Sequence, residues 1–211
     1  AGVILAESPD SDEAMSLIVD VGTNAEIVLG NKDRLLVCSS PTGPAFEGGE
    51  ISAGQRATAG AIERVRIDRE TLEPKFRVIG SELWSTEVGF ADSTNELSIT
   101  GICGSGIIEV VAEMFLAGII SEDGIVDGAL AERSSRVRSH GRTWSYVLHF
   151  AEDETQRDIV VTQNDVRQIQ LAKAALYAGI KLLMDKMGVS AVDRIRLAGA
   201  FGSHILSLIH I

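Results

Sequence analysis

Apolar and polar positions alternate in blocks along the chain, and the blocks follow two different periods. Three short apolar runs come first: LIVDVG at 17–22, AEIVLGN at 25–31 and RLLVCSS at 34–40. Their separators, Gly-Thr-Asn and Asn-Lys-Asp, carry turn chemistry, so the pattern predicts a three-stranded antiparallel meander. A loop at 41–52, PTGPAFEGGEIS, leads to AGQRATAGAIERV at 53–65, which reads as a helix weakened by Gly54 and Gly60. Strand runs recur at 76–80 (FRVIG) and 97–100 (LSIT). GICGSG at 101–106 then opens an apolar segment over 107–120. Ile108, Val111, Phe115 and Ile119 recur in it at helical spacing and predict a core-facing stripe.

Residues 121–142 are polar and charged, with RSSRVRSHGR at 133–142 as a surface loop. A hairpin follows, WSYVLHFA at 144–151 and DIVVTQ at 158–163, around the acidic turn EDET. The longest periodic segment, 163–188, predicts a helix whose start carries a capping box of Thr162 and Asp165 and whose end is marked by Gly188. Ile169, Leu176, Ile180, Leu183 and Met187 line one of its faces. A short strand, RIRLAGAFG at 194–202, ends in another glycine turn. No repeat and no linker breaks the pattern, which predicts one α/β domain over 1–205. The chain opens on Ala1, and LSLIHI at 206–211 resembles a translated sequencing adapter. The expectation is a fragment truncated at both ends, with 206–211 a non-native tail.

Composition narrows the function classes. The chain has 211 residues, 45% hydrophobic and 23% charged, as in soluble globular proteins. A net charge of −11 with 5% aromatic residues argues against nucleic acid as a partner. No apolar run reaches the length of a membrane span and no secretory leader opens the chain, so the expected location is cytoplasmic. Cys38 and Cys103 are the only cysteines and form no CxxC pattern. They read as two reduced thiols in or near the core. The four histidines show no metal-ligand spacing with carboxylates.

Candidate chemistry concentrates at four glycine turns. Asp20-Val21-Gly22-Thr23-Asn24 puts an acid at a strand end, then a tight polar turn. Such a turn lets a phosphate approach the backbone while the acid organises water around a divalent cation. An ordinary hairpin with an Asx-type turn explains the same spacing. Gly199-Ala200-Phe201-Gly202 follows a strand and either admits an adenine or phosphate or simply turns the chain. Gly48-Gly49-Glu50 reads as a helix entry whose carboxylate meets either ribose hydroxyls or solvent. In GICGSG, Gly104, Ser105 and Gly106 sit at a helix start, suited to an anion or to close helix–sheet packing. That run is not GxGxxG, and no ribose-binding acid supports a dinucleotide fold. The order of these turns between strands and helices is that of a ribonuclease-H-like half-domain gripping a nucleotide between two lobes.

The runs VDVGTNAEIVLGN, SSPTGPAFEGGEISAGQRA, TGICGSGIIEVVAEM, VTQNDVRQIQLAKAALYAGI and LAGAFGSHI together resemble the C-terminal domain of the reductive activators of corrinoid-dependent proteins. These belong to the acetate/sugar kinase, heat-shock chaperone and actin (ASKHA) superfamily. The resemblance covers nearly all of 1–205 and implies an α/β, ribonuclease-H-like lobe with a mixed sheet and packed helices. It implies a nucleotide site for ATP and Mg2+: phosphate binding at Asp20, Gly22, Thr23 and Asn24, with Asp20 reaching the metal through water. Adenosine binding falls on Gly199, Ala200, Phe201 and Gly202, with Gly48, Gly49 and Glu50, and further Gly104, Ser105 and Gly106, as possible ribose or phosphate contacts. No catalytic residue is implied. A full-length relative carries a ferredoxin domain with a [2Fe-2S] cluster and a middle lobe, and uses ATP to return Co(II) corrinoid to Co(I) for methyl transfer. The implied partners are a corrinoid protein of a methyltransferase system and the chain's own missing ferredoxin and middle domains, with no nucleic acid and no membrane. By itself this piece is expected to bind ATP weakly at most and to lack redox activity. Two alternatives stay open: a small-molecule kinase of the same superfamily, for which no catalytic acid is found, and a module that docks a corrinoid protein without nucleotide chemistry.

Overall fold

The computed structural model describes residues 2–151 and 156–199. In chain order the elements are helix α1 (Gly2–Glu7), strands β1 (Ser16–Val21), β2 (Ala25–Gly30), β3 (Leu35–Ser40), β4 (Ile62–Ile67) and β5 (Pro74–Val78), helices α2 (Phe90–Thr94) and α3 (Gly104–Leu116), strands β6 (Val137–His140), β7 (Thr143–His149) and β8 (Ile159–Thr162), helix α4 (Gln163–Met187) and strand β9 (Arg194–Ala198). Packing divides them into two compact units, one holding the chain up to Pro44 and again from Leu171, the other holding Ala45–Gln170. The return to the first unit falls inside α4, so no glycine- or proline-rich linker marks it in the sequence.

The first unit is built on a four-stranded sheet ordered β3-β2-β1-β9. β1, β2 and β3 form the expected antiparallel meander, with Val21 opposite Ala25 across the first turn. β9 adds to β1 in parallel, so the sheet is mixed. Leu17, Val19, Ala25, Ile27 and Leu29 are buried together on one face with Leu183 of α4. Leu176, Ile180 and Met187 pack against the same cluster, as the periodicity of that helix predicts. Contact is close because Gly179 faces the sheet: a Cβ there would lie 2.7 Å from Cδ1 of Ile27.

The second unit holds the β4–β5 hairpin, α3, and the meander β6-β7-β8. The capping box at the start of α4 forms in both directions: Asp165 N–H donates to Thr162 Oγ1 at 3.2 Å and Thr162 N–H to Asp165 Oδ2 at 2.8 Å. Asp165 is buried and also accepts from the Ser52 N–H and hydroxyl. Val137–His140, inside the polar stretch read as a loop, pairs with β7.

Three further expectations are corrected here. Residues 53–65 do not form a helix; turns lead directly into β4. The two glycines of that segment are sites of backbone contact: a Cβ on Gly54 would meet Gly48 O at 2.0 Å, and one on Gly60, at φ +85°, would meet Ser98 O at 2.4 Å. No strand forms over 97–100; only Ile102 bridges, to Gly54 and Ile62. On α3 the stripe is one residue out of phase. Ile107, Val110 and Met114 are buried, whereas Phe115 is exposed; Ile119 is buried as expected, but beyond the helix end. The buried face includes Gly106 and the charged Glu109, which an apolar pattern does not register.

Candidate functional site

β1 carries an almost continuous apolar run until Asp20, whose side chain is half-buried and forms no hydrogen bond or ion pair among the described residues. The parallel register sets Asp20 beside Ala198 at the end of β9. Both strands therefore reach their carboxyl ends together, and the Gly22–Asn24 turn and Gly199 emerge side by side from the same end of the sheet. Gly199 has φ +80°, and a Cβ on it would lie 2.5 Å from Oδ1 of Asp20. Any other residue at 199 would be strained and would push the carboxylate aside.

The turn is braced from the segment after β3. The Thr42 side chain is buried, and its hydroxyl lies 2.7 Å from Gly22 O and 3.0 Å from Thr23 O. Gly43 N–H donates to Thr23 O at 3.0 Å. The carbonyls of Gly22 and Thr23 are thus occupied from within the protein, while the Thr23 and Asn24 residues are exposed. Thr42 escapes sequence reading because a threonine in SPTGP has the composition of any surface turn.

Other predicted residues fall elsewhere. Gly48, Gly49 and Glu50 belong to the second unit and form a turn after a short 3-10 helix at Pro44–Glu47. The turn enters no helix, contrary to expectation. Glu50 is exposed at φ +62°, a left-handed conformation uncommon for a residue with a side chain. Gly48, at φ +85°, is where Gln55 closes in: a Cβ there would lie 2.8 Å from its backbone N and O. Gly104, Ser105 and Gly106 form the first turn of α3. A Cβ on Gly106 would lie 2.3 Å from Ile62 O, which accounts for that glycine by close helix–strand packing. Ser105 Oγ lies 3.3 Å from Sγ of buried Cys103. Ala200, Phe201 and Gly202 lie outside the described residues.

Among the described residues no group of three or more His, Cys, Asp or Glu is arranged to hold a metal ion. A single carboxylate completed by phosphate oxygens and water is how Mg2+ is commonly held, and Asp20 fits that role. Cys38, in the first unit, and Cys103, in the second, do not fit an iron–sulfur cluster, which takes four ligands. No helix among the described residues is long and apolar enough to cross a membrane.

Comparison with known proteins places the chain in a family by sequence and fold. The profile of a family described as the C-terminal domain of RACo, the ASKHA domain, matches residues 14–208. The corrinoid activation enzyme RamQ of Eubacterium limosum is 35% identical over 202 residues, covering 92% of this chain and 31% of that protein. A Co(II) methylated amine-specific corrinoid protein reductase of Methanosarcina barkeri is 32% identical over 112 residues, 51% of this chain and 21% of that protein. The solved structure of a reductive activator for corrinoid, iron-sulfur protein superposes with a TM-score of 0.77 at 36% identity, over 94% of this chain and 30% of that one. The chain thus spans about a third of the length of RamQ and of the solved reductive activator. With its mixed α/β sheet, it belongs to the C-terminal ASKHA domain family of the reductive activators of corrinoid proteins.

Proposed function

We propose that this chain is the nucleotide-binding C-terminal lobe of an ATP-dependent reductive activator that returns Co(II) corrinoid proteins to Co(I), the state that accepts methyl groups. The observation that carries the reading is the parallel pairing of β1 with β9, which brings Asp20 beside the Gly199 turn with its carboxylate unengaged among the described residues. Family membership supports the corrinoid half of the reading. In this proposal the Gly22–Asn24 turn takes the phosphates, Gly199 opens the adenosine side, and Asp20 holds a water of the Mg2+ shell. Bound Mg2+ supplies charge neutralisation of the phosphate oxygens. The electron is carried by a cluster outside this chain, and the corrinoid is substrate. The cytoplasm, where such reductive chemistry is protected, is the proposed location.

Titration of a full-length protein carrying this chain with a non-hydrolysable ATP analogue tests the site. Asp20→Ala and Gly199→Val should each weaken binding by about tenfold or more, in line with loss of a charged group or of a close backbone approach. Unchanged affinity in both variants would overturn the assignment. Following the Co(II)-to-Co(I) spectral change with and without ATP checks the activity separately.

A further inference from the structure

Thr42 has no role in the reading above, yet it has the geometry of a part built for that site. It follows β3, at the opposite edge of the sheet order from β9, and reaches back to the β1–β2 turn. Its hydroxyl can donate one hydrogen, shared between Gly22 O at 2.7 Å and Thr23 O at 3.0 Å. The neighbouring Gly43 N–H also donates to Thr23 O, from a backbone at φ +73° that favours glycine. Thr42 N–H donates to Ser40 O, and the Ser40 hydroxyl donates to Ala175 O of α4 at 2.6 Å. The segment 40–43 is therefore a strut running from the middle of α4 to the turn, entirely within the first unit.

An anion is bound by N–H and O–H donors and repelled by carbonyl oxygens. A polar turn free to rotate its peptide planes would present both. Tying the carbonyls of Gly22 and Thr23 to Thr42 and Gly43 fixes which side of these peptides carries oxygen, and so leaves the opposite side to donors. An ordinary hairpin needs no such strut, since a short turn is closed by the two strands that flank it.

We infer that Thr42 is the positioning residue of the phosphate turn: its hydroxyl holds the carbonyls of Gly22 and Thr23 away from a bound polyphosphate. The inference rests on the proposed nucleotide site, and its effect is specific to phosphate. Thr42 touches neither the sugar nor the base in this assignment, so removing its hydroxyl lowers affinity for ATP and leaves affinity for adenosine unchanged.

The test uses a full-length protein carrying this chain, titrated with a non-hydrolysable ATP analogue and, separately, with adenosine. Thr42→Val keeps the side-chain shape and removes the hydroxyl; Thr42→Ser keeps the hydroxyl. The expected result is a loss of about five- to tenfold in affinity for the ATP analogue in Thr42→Val, no change for adenosine, and Thr42→Ser within about twofold of the parent for both ligands. Equal losses for both ligands, or none for either, would overturn the role. Asp20→Ala run alongside separates the two claims: a sensitive Asp20 with an insensitive Thr42 sinks only the Thr42 role, whereas insensitivity of both sinks the site. If Thr42→Val does not fold, amide hydrogen exchange of the unsubstituted protein decides. ATP analogue should then protect 22–24 and 42–43 together, and protection of 22–24 with no change at 42–43 counts against the strut.

Discussion

At the carboxyl end of β1, Asp20 is half-buried with no hydrogen-bond donor engaged among the described residues, whereas on α3 Glu109 is buried and accepts from three groups. Glu109 receives Arg64 at 3.1 Å, Arg66 at 2.9 Å and the Val65 N–H at 2.7 Å. One turn along, Glu113 accepts the Ile67 N–H at 3.0 Å. Four helical residues advance about 6 Å and two strand residues nearly 7 Å, so two glutamates one turn apart match two successive outward N–H groups of β4. This closes the edge of the β4–β5 pair, which a bare strand edge would leave open to other chains. The two acids differ in what surrounds them rather than in chemistry: one completes a fold, the other stands without a partner among the described residues at a strand end. Glu109→Ala should therefore produce the largest stability loss, about 3 kcal/mol, because two guanidinium groups and a buried N–H lose their acceptor together. Asp20→Ala should change stability by less than about 0.5 kcal/mol. Urea unfolding of both variants measures the contrast, and similar losses in the two would abolish it.

The same comparison holds between two glycines. A Cβ on Gly106 would strike Ile62 O at 2.3 Å and Cγ2 of Ile102 at 2.7 Å, both part of the packed interior. Among the described residues, a Cβ on Gly199 would strike the carboxylate of Asp20 at 2.5 Å, with the backbone of Val21 at an ordinary 3.6 Å. Gly106→Ala is expected to cost about 2 kcal/mol through overpacking and to leave nucleotide affinity unaltered once the protein is folded. Denaturant midpoint and ATP-analogue titration, read on the same preparation, check both halves. A weakened affinity in folded Gly106→Ala would return this glycine to the list of ligand contacts.

Much of the first unit was legible because its signals are local. Apolar runs separated by Gly-Thr-Asn and Asn-Lys-Asp can hardly form anything but a meander. The same holds at one point of the second unit, where Thr162 with Asp165 specifies a helix start within four residues. The second unit resists reading where distant backbone decides. Residues 53–65 have fair helical composition, but Gly54 is fixed by the backbone of Gly48, outside that segment, and Gly60 by Ser98, a contact too far along the chain for a local pattern to register. The stripe on α3 was misplaced because the buried face carries Glu109 and Gly106 where a hydrophobic pattern expects neither. At the site, Asp20 and Gly199 could be named from their turns, but only parallel pairing makes them neighbours. Thr42 had no signal, since its function lies in where its hydroxyl points.

A smaller loss than at Glu109 or Gly106 is expected at a second buried polar group of the second unit, and it extends the contrast to pH. Tyr146 is fully buried, and its hydroxyl donates to Leu72 O at 2.8 Å. Leu72 is itself buried at φ +60°, a left-handed conformation unfavourable for a bulky residue, so the bond pins a strained turn of the β4–β5 loop. Burial pushes the tyrosine pKa well above its ordinary value, because the phenolate would be poorly solvated there. In the unfolded chain the group titrates near 10, so the folded state binds the extra proton above that pH. The contribution is therefore fully present below about pH 10 and is lost as pH rises further. Tyr146→Phe should cost about 1 kcal/mol at neutral pH by leaving the Leu72 carbonyl without its donor. The gap between parent and variant should then narrow as pH climbs past 10, because only the parent has a phenol to ionise. Urea unfolding at pH 8, 9, 10 and 10.5 reads this directly. A gap that stays constant across the series would mean that the hydroxyl is no better protected in the fold than in water, and would place Tyr146 with Asp20 rather than with Glu109.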